Sequence, residues 1–202
     1  MSSHLPNPPA ASGAKKRLTK ADRQRQLLEV AWSIVRSHGT DALTLGVLAE
    51  RAGVTKPVVY DHFGSRTGLL GALYAEYDDL QHALMDEALR ASGKSLPGVA
   101  KVIAAAYVQC VMTMGRELPG VSAALAGSPE LDALKKQHES AFLEKCRAAV
   151  QPFARQPLGL AAMRAMLGAA EAVSFAAAAG EIEPAEAQAE IEDAILRMAR
   201  RS

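Results

Sequence analysis

The stretch of residues 44–66, TLGVLAERAGVTKPVVYDHFGSR, constrains the fold most strongly, because it predicts two short helices separated by a tight turn. The first helix is predicted over 44–52, where apolar residues recur every three or four positions and form one face. Gly53 follows, and glycine readily adopts the left-handed conformation that ends a helix. Thr55 suits the N-cap of a second helix, and Pro57 fits its first turn. This arrangement predicts a helix-turn-helix, whose second helix enters the major groove of DNA.

The same stretch closely resembles the DNA-binding domain of the tetracycline-repressor (TetR) family. The resemblance rests on L-A-x-x-A-G-V-T followed by V-Y-x-H-F-x-S-R-x-x-L-L, and it extends over residues 20–75. The matching residues are Leu48, Ala49, Ala52, Gly53, Val54, Thr55, Val59, Tyr60, His62, Phe63, Ser65, Arg66, Leu69 and Leu70. Arg66 stands where the family usually has Lys, and either residue can pair with a phosphate. Gly68 stands where the family often has an acidic residue, so the capping box of the next helix is weakened.

Residues on or near the exposed side of the second helix, with the residues that flank it, are the predicted DNA contacts. They are Thr44, Thr55, Lys56, Pro57, Val58, Tyr60, Asp61, His62 and Arg66. Four of them suit phosphate contacts, which set the register of a protein on DNA: Thr44, Thr55, Tyr60 and Arg66.

Two side chains of the same helix are predicted to read bases. Lys56 can donate to guanine acceptors, and the methyl groups of Val58 can touch a thymine methyl. Asp61 has two open interpretations, because its carboxylate can accept from a cytosine amine or cap the helix locally. Val59 and Phe63 are predicted to pack in the core rather than to touch DNA.

Charge is divided unevenly along a chain whose net charge is only +1. Residues 1–70 hold ten Lys and Arg against five Asp and Glu, and the remainder holds 13 against 17. A basic front and a mildly acidic rear fit a DNA-binding head on a body that does not bind DNA, although chance variation in surface charge is the alternative. Residues 1–18 are predicted to be a disordered basic tail, either a loose end or an arm that follows the DNA backbone.

The rest of the chain has helical periodicity, so the predicted fold is all-α with about nine helices. There is no β-hairpin turn signal and no internal repeat. The predicted domains are the tail (1–18), a three-helix helix-turn-helix domain (19–66), and a helical effector-binding and dimerisation domain (67–202).

The Ala- and Gly-rich segment 158–180 and the helix after Pro184 are predicted to form a homodimer interface. Small residues let helices approach closely, and readers of paired half-sites need a dimer about one DNA turn across. A helix buried within one monomer is the alternative for this segment.

The middle helices are predicted to enclose a ligand pocket, chiefly because of the family resemblance. The predicted ligand-binding residues are Tyr107, Met112, Met114, Arg116, His138, Phe142, Met163 and Met166. Their Met and aromatic content predicts a mostly apolar effector, with Arg116 and His138 as polar anchors. Ordinary core packing is the alternative for each residue taken singly.

No catalytic motif and no metal-ligand spacing is recognisable, so no enzymatic activity, cofactor or metal is expected. Cys110 and Cys146 lie in apolar helical stretches and are predicted to be buried, reduced thiols. No run of about eighteen apolar residues is present, so no membrane span is expected. The N-terminus has prolines where a signal peptide needs an apolar core, which predicts a cytoplasmic protein.

These observations predict a homodimeric transcriptional regulator that binds a palindromic operator in double-stranded DNA. The resemblance implies a repressor that a small effector releases from DNA. One alternative is a DNA-binding regulator without a small-molecule effector, controlled by its abundance or by a protein partner. Another is an architectural protein that coats DNA without sequence preference, which predicts a more uniformly basic chain and strongly salt-dependent binding.

Overall fold

The computed structural model describes residues 18–91, 95–114 and 117–201. Over these residues the chain forms nine α-helices, two short 3₁₀ turns (Thr40–Ala42 and Gln151–Phe153) and no strand. The helices are α1 (Lys20–His38), α2 (Leu45–Ala52), α3 (Lys56–Phe63), α4 (Arg66–Ala91), α5 (Leu96–Met114), α6 (Leu118–Ala126), α7 (Pro129–Val150), α8 (Leu160–Ala179) and α9 (Pro184–Arg201). The prediction of an all-α fold with about nine helices is confirmed. Residues 1–17 of the predicted tail lie outside the described residues, as does Arg116.

Helices α1 to α3 form the N-terminal head, and local signals define the ends of α2. The hydroxyl of Thr44 accepts a hydrogen bond from the backbone N–H of Val47 at 3.1 Å, which caps the first turn. Gly53 ends the helix at φ 64°, and its N–H bonds the carbonyls of Ala49 and Glu50. This left-handed residue turns the chain within two positions and starts α3 against α2.

Thr55 occupies the N-cap position of α3, as predicted, but its hydroxyl makes no capping hydrogen bond. The second residue of the helix is Pro57, which has no N–H for that hydroxyl to cap. The Thr55 hydroxyl therefore stays at the exposed start of α3 without an intrahelical partner.

Helix α4 begins at Arg66, and Ser65 caps it by accepting from the N–H of Gly68 at 3.0 Å. A Cβ atom on Gly68 would lie 2.0 Å from the carbonyl oxygen of Phe63. The acidic residue of a capping box cannot be placed there without moving the backbone. The departure from the family pattern thus follows from the close approach of the end of α3 to the start of α4.

The body is a bundle in which α5 packs against α4, α8 and α9, with α6 and α7 closing one side. The core side chains of the body include Ile103 of α5, Phe142 of α7, Met163 of α8 and Ile191 of α9. Cys110 and Cys146 are buried and free, as predicted. Burial raises the pKa of each thiol to about 12.

Helix α6 begins at Leu118. Pro119 and Gly120 form its first turn, where proline is tolerated because the first N–H groups of a helix have no intrahelical partner.

Two helices, Leu96–Met114 and Leu160–Ala179, are long and apolar enough to cross a membrane by length and composition alone. This corrects the expectation that no such stretch exists, because single charged residues within them do not outweigh their apolar neighbours. Half of the apolar window of α5 is buried, as expected for the central helix of the bundle. Only a third of the window of α8 is buried, which leaves an apolar face of that helix uncovered in the monomer.

Candidate functional site

The outer side of α3 is a polar surface on a helix anchored by its inner side. Val59 and Phe63 are buried against the head, while Tyr60 is 53% exposed. The other exposed positions at this helix are Thr55, Lys56, Pro57 and Asp61. The structure therefore agrees with the prediction of which side of α3 faces the core and which side is exposed. The exposed side presents a hydroxyl, an ammonium, a phenol and a carboxylate.

The start of α2 lies beside the start of α3. A Cβ atom on Gly46 would lie 3.7 Å from Cε of Lys56, so the aliphatic part of the lysine runs over the first turn of α2. A helix N-terminus presents free N–H groups and a partial positive charge. Lys56 adds a full positive charge beside these groups, so this corner of the head has the electrostatics of a phosphate-binding surface.

The remaining predicted contacts on the head are less exposed. Val58 and His62 are half-buried, and the Nδ1 atom of His62 is buried without a hydrogen-bond partner among the described residues. The His62 ring lies 6.0 Å from that of Phe63, so it packs against the base of α3. Thr44 is exposed, and its hydroxyl can still donate while it accepts from Val47.

Arg66 has a structural use in the head that the sequence did not indicate. Its Nε donates to the carbonyl of Leu43 and its Nη2 to the carbonyl of Thr40, both at 2.9 Å. The Asp41 carboxylate lies 3.8 Å from the same Nη2. Arg66 thereby ties the first residue of α4 to the turn before α2. Its Nε and Nη2 atoms are engaged within the head in this structure, and its contact with a phosphate stays a prediction.

The body contains a cleft between α4, α5, α6, α7 and α8. Its lining residues are Tyr74, Tyr77, Asp78, Gln81, Tyr107, Leu118, Ser122, Glu139, Phe142, Leu167, Glu171 and Phe175. The space inside it, open mouth included, is about 380 Å³, but the enclosed room for solvent is only about 20 Å³. That room is about enough for one water molecule, so the cleft is nearly closed in this form.

Two of the eight predicted ligand residues, Tyr107 and Phe142, line this cleft. His138 lies at its edge, where its Nδ1 is 2.7 Å from the Oδ2 of Asp78. Met112 is 41% exposed on another side of α5, and Met163 is fully buried in the core.

The other two predicted methionines line surface grooves elsewhere. Met114 lies beside Trp32 and Glu76, and Met166 lies between α8 and α9. Helical spacing placed these methionines on apolar faces, but it did not show which faces meet at the cleft.

The predicted set missed most of the polar lining. On α4, Tyr74, Asp78 and Gln81 follow one another at spacings of four and three residues and so share one face. Asp78 and Gln81 are buried, and the Gln81 amide donates to the Tyr77 hydroxyl at 2.9 Å. The sequence feature that could have identified this lining is the presence of polar residues on the inner face of a long helix.

The ionisable side chains that line the cleft are phenols and carboxylates. Burial raises the pKa of Tyr74 well above its usual range, and the nearby carboxylates of Glu139, Asp78 and Glu171 raise it further. Burial also raises the pKa of Tyr107, again helped by the Glu171 carboxylate. The phenols therefore stay neutral, because burial and the carboxylates on three helices both raise their pKa.

The acids of the cleft are held from its outer side. Glu139 lies 3.5 Å from the ammonium of Lys135 and forms an ion pair with Arg164. Glu171 lies 3.3 Å from the same ammonium. Both carboxylates line the cleft, whereas Lys135 and Arg164 are not among its lining residues.

The uncovered face of α8 is a stripe of small residues. Its exposed members, which are adjacent or three, four or seven positions apart, are Ala161, Ala165, Gly168, Ala169, Ala172 and Ala179. Leu160, at the start of the same helix, is 63% exposed. The two charged residues of α8, Arg164 and Glu171, pair with α7 instead, so the stripe itself carries no charge.

Comparison with known proteins points to one class of protein. The sequence profile described as "Bacterial regulatory proteins, tetR family" matches residues 27–73, which lie in α1 to α4. The chain is 36% identical over 74 residues to the HTH-type transcriptional activator FasR of Mycolicibacterium smegmatis, covering 37% of this chain and 34% of FasR. It is 34% identical over 89 residues to the HTH-type transcriptional repressor LfrR of the same organism, covering 44% and 43%. The matched stretches thus span less than half the length of these curated relatives.

Solved structures match over nearly the whole chain. A TetR-like transcriptional regulator from Rhodococcus sp. RHA1 superposes with a TM-score of 0.72 at 22% identity, covering 90% of this chain and 97% of that one. A TetR-family transcriptional regulator from Streptomyces coelicolor gives a TM-score of 0.69 at 17% identity, covering 90% and 96%. At these identities the match demonstrates a shared fold, head and body together.

Proposed function

We propose that this chain, which carries the family domain of the tetR bacterial regulatory proteins over residues 27–73, is a regulator of that type and represses transcription as a homodimer on a palindromic operator. A DNA-binding transcriptional regulator is what the family domain and both curated relatives support. Repression, dimerisation and release by a small effector are the finer parts of the proposal. One of the curated relatives is an activator and the other a repressor, so repression has to be tested directly.

The observation that carries the DNA-binding proposal is the orientation of α3. Val59 and Phe63 anchor its inner side, which leaves Lys56 and Tyr60 exposed on the outer side. A recognition helix needs this division, because the buried side fixes its angle while the exposed side reaches base edges and phosphates. The proposed contacts are the nine residues named from the sequence. The proposal that Thr55 contacts DNA is strengthened because its hydroxyl has no capping partner.

Dimerisation is supported by the small-residue stripe of α8. An uncharged face of alanine and glycine lets a second copy of the helix approach closely. A groove between α8 and α9, which includes Ala165, Met166, Ala194 and Met198, extends this surface. In a twofold arrangement the same surfaces of both copies meet, and the two heads are held at a fixed separation.

Release by an effector is supported by the cleft and by its contact with the head. Leu118 and Ser122 of α6 line the cleft, and the same helix touches the 40–42 turn. A Cβ atom on Gly120 would lie 2.9 Å from the hydroxyl of Thr40, and the Thr40 carbonyl accepts from Arg66. A ligand that widens the cleft by moving α6 would therefore disturb the joint between head and body.

A regulator without a small effector is the second candidate, and the small enclosed volume of about 20 Å³ favours it. We also propose a cytoplasmic location and no enzymatic activity, since the family is one of transcriptional regulators. Among the described residues no group of three or more His, Cys, Asp or Glu side chains is arranged to hold a metal ion.

Selection of bound genomic fragments by the purified protein tests the proposal. The expected result is a small set of fragments that share a palindrome with half-sites about one DNA turn apart. Reporter transcription from a recovered fragment should fall when the protein is expressed, and a rise would assign activation instead. Uniform recovery of fragments with a steep salt dependence would indicate an architectural protein.

A further inference from the structure

We infer that the cleft between α4 and α8 takes an organic cation, a protonated or quaternary amine, and that this cation is the effector. The inference rests on the proposed function, in which a ligand of this cleft controls DNA binding. It departs from the mostly apolar effector predicted from the sequence, because the structure replaces the predicted methionine lining with phenols and carboxylates.

The aromatic residues of the chain are concentrated at this cleft. Three of its four tyrosines and two of its four phenylalanines line it: Tyr74, Tyr77, Tyr107, Phe142 and Phe175. The Tyr107 and Phe142 rings meet edge to face with centroids 5.6 Å apart, and Tyr74 and Tyr77 are 5.6 Å apart. Ring faces that surround one space attract a cation through their quadrupoles, as in aromatic cages for quaternary ammonium groups.

The charged groups that line the cleft all have the same sign. Asp78, Glu139 and Glu171 line it, and among the described residues no Lys or Arg does. Lys135 and Arg164 pair with Glu139 and Glu171. The contacts of Asp78 are with His138 and His82, and both use its Oδ2 atom. Three carboxylates therefore line the cleft and no Lys or Arg of the described residues does, which favours a cation over an anion.

Two hydroxyl groups of the lining, those of Tyr74 and Ser122, belong to residues that are only 5% and 7% exposed. Neither oxygen is among the buried polar atoms that lack a hydrogen-bond partner. Both line the cleft, so a hydroxyl or an ammonium N–H of a ligand inside it can form a hydrogen bond with them.

The small enclosed volume of the cleft means that a cation can enter only if the cleft widens. A cavity with room for about one water has to widen before it can hold an alkylammonium ion, and α6 is the short helix on one wall. Binding shifts the population toward the widened form only to the extent that the cation binds this form more tightly than the closed form. Because α6 also touches Thr40, widening is coupled to the head.

The test is calorimetry on the full chain without DNA. The probes are the tetramethyl-, tetraethyl- and tetrabutylammonium ions and choline, with 3,3-dimethylbutan-1-ol as the uncharged isostere of choline and butyrate as an anion. At least one ammonium ion should bind with one site per chain, and choline should bind roughly tenfold more tightly than its isostere if it is that ion. Absence of binding by every ammonium ion, or equal binding of choline and its isostere, would overturn the inference.

Variants locate the site without disturbing the core. Glu171→Gln removes a half-buried charge, and it should weaken binding of the ammonium ion several-fold, while Glu171→Asp should restore most of it. Glu144→Gln on α7 is the matched control, because Glu144 is exposed and pairs only with Arg147 among the described residues. A Glu171→Gln variant that binds like the wild type would place the cation elsewhere and overturn the assignment.

A second measurement uses DNA fragments recovered by the selection. The bound ammonium ion should weaken DNA binding by the same factor by which DNA weakens ion binding. Ion binding that leaves DNA affinity unchanged would overturn the effector role. If the protein recovers no DNA, the proposed function fails, while calorimetry still decides whether the cleft binds a cation.

Discussion

The indole Nε1 of Trp32 donates a hydrogen bond to Oε2 of Glu76 at 2.7 Å. Trp32 lies on α1 of the head, and Glu76 lies on α4, nearly three turns after the start of that helix. Trp32 is 5% exposed, so most of its ring is packed against the head and its N–H has little access to water when the acceptor is removed. This bond and the contacts of Arg66 are two separate ties between α4 and the rest of the head.

Glu76→Ala should therefore destabilise the protein by about 1–3 kcal/mol, the usual effect of leaving a buried donor unsatisfied. Denaturant unfolding followed by the fluorescence of Trp32, the one tryptophan of the chain, measures this directly. Glu87→Ala on the exposed side of α4 is the matched control and should change stability by less than about 0.5 kcal/mol. Equal stabilities of the two variants would show that the Trp32–Glu76 bond contributes nothing measurable.

Arg66→Lys should reduce stability by about 1–2 kcal/mol, because a lysine ammonium cannot donate to the Leu43 and Thr40 carbonyls in the same planar geometry. DNA affinity should fall as well, with sequence preference unchanged, since the turn before α2 loses its anchor. Arg51→Lys, at the exposed end of α2, is the control. If Arg66 acts only by pairing with a phosphate, Arg66→Lys will retain both stability and affinity.

Tyr60→Ala and Lys56→Ala should have different effects on DNA binding. Loss of a phosphate contact by Tyr60 should weaken binding to all sequences alike, whereas loss of a base contact by Lys56 should change preference within the half-site by about 1–3 kcal/mol. Selection from a randomised half-site library measures both. A wild-type preference in the Lys56→Ala variant would exclude a base-reading role for this lysine.

Ala169→Glu should dissociate the proposed dimer, because it places an unpaired charge in a closely packed seam. Ala176→Glu, at a half-buried position of the same helix, should do the same but also carries a risk to folding. Sedimentation at low micromolar concentration gives the oligomeric state, with Ala148→Glu on the exposed side of α7 as the control. Dimers in both α8 variants would move the interface to another surface.

Neither cysteine should react with iodoacetamide in the folded protein at pH 8. Burial raises the pKa of Cys110 and Cys146 from 9.0 to about 12, so the reactive thiolate is scarce and shielded. Both should be alkylated in urea, which mass spectrometry can count. Since the folded pKa is the higher one, the thiols contribute stability that is complete below pH 9 and declines as the pH rises toward 12. Rapid alkylation of native protein at pH 8 would show that the core opens around α5 or α7.

The head could be predicted from the sequence because its signals are local. The cap at Thr44, the left-handed Gly53 and the proline at position 57 act within one or two turns of chain, and each is where it was expected. The reach of Arg66 back to Leu43 and Thr40 spans more than twenty residues. No local pattern encodes it, and the same residue type also suits a phosphate.

In the body, the packing of separate helices decided more of the site than local sequence signals did. Helical spacing in the sequence determined nine helices and their apolar faces, and it placed Tyr107 and Phe142 correctly on the inner side. Tertiary structure decided that these faces meet Tyr74, Asp78 and Glu171 in a carboxylate-lined, nearly closed cleft, and that Met112 faces outward. The physical reason is that periodicity fixes the direction of a side chain relative to its own helix axis, while the partner it meets depends on how separate helices pack.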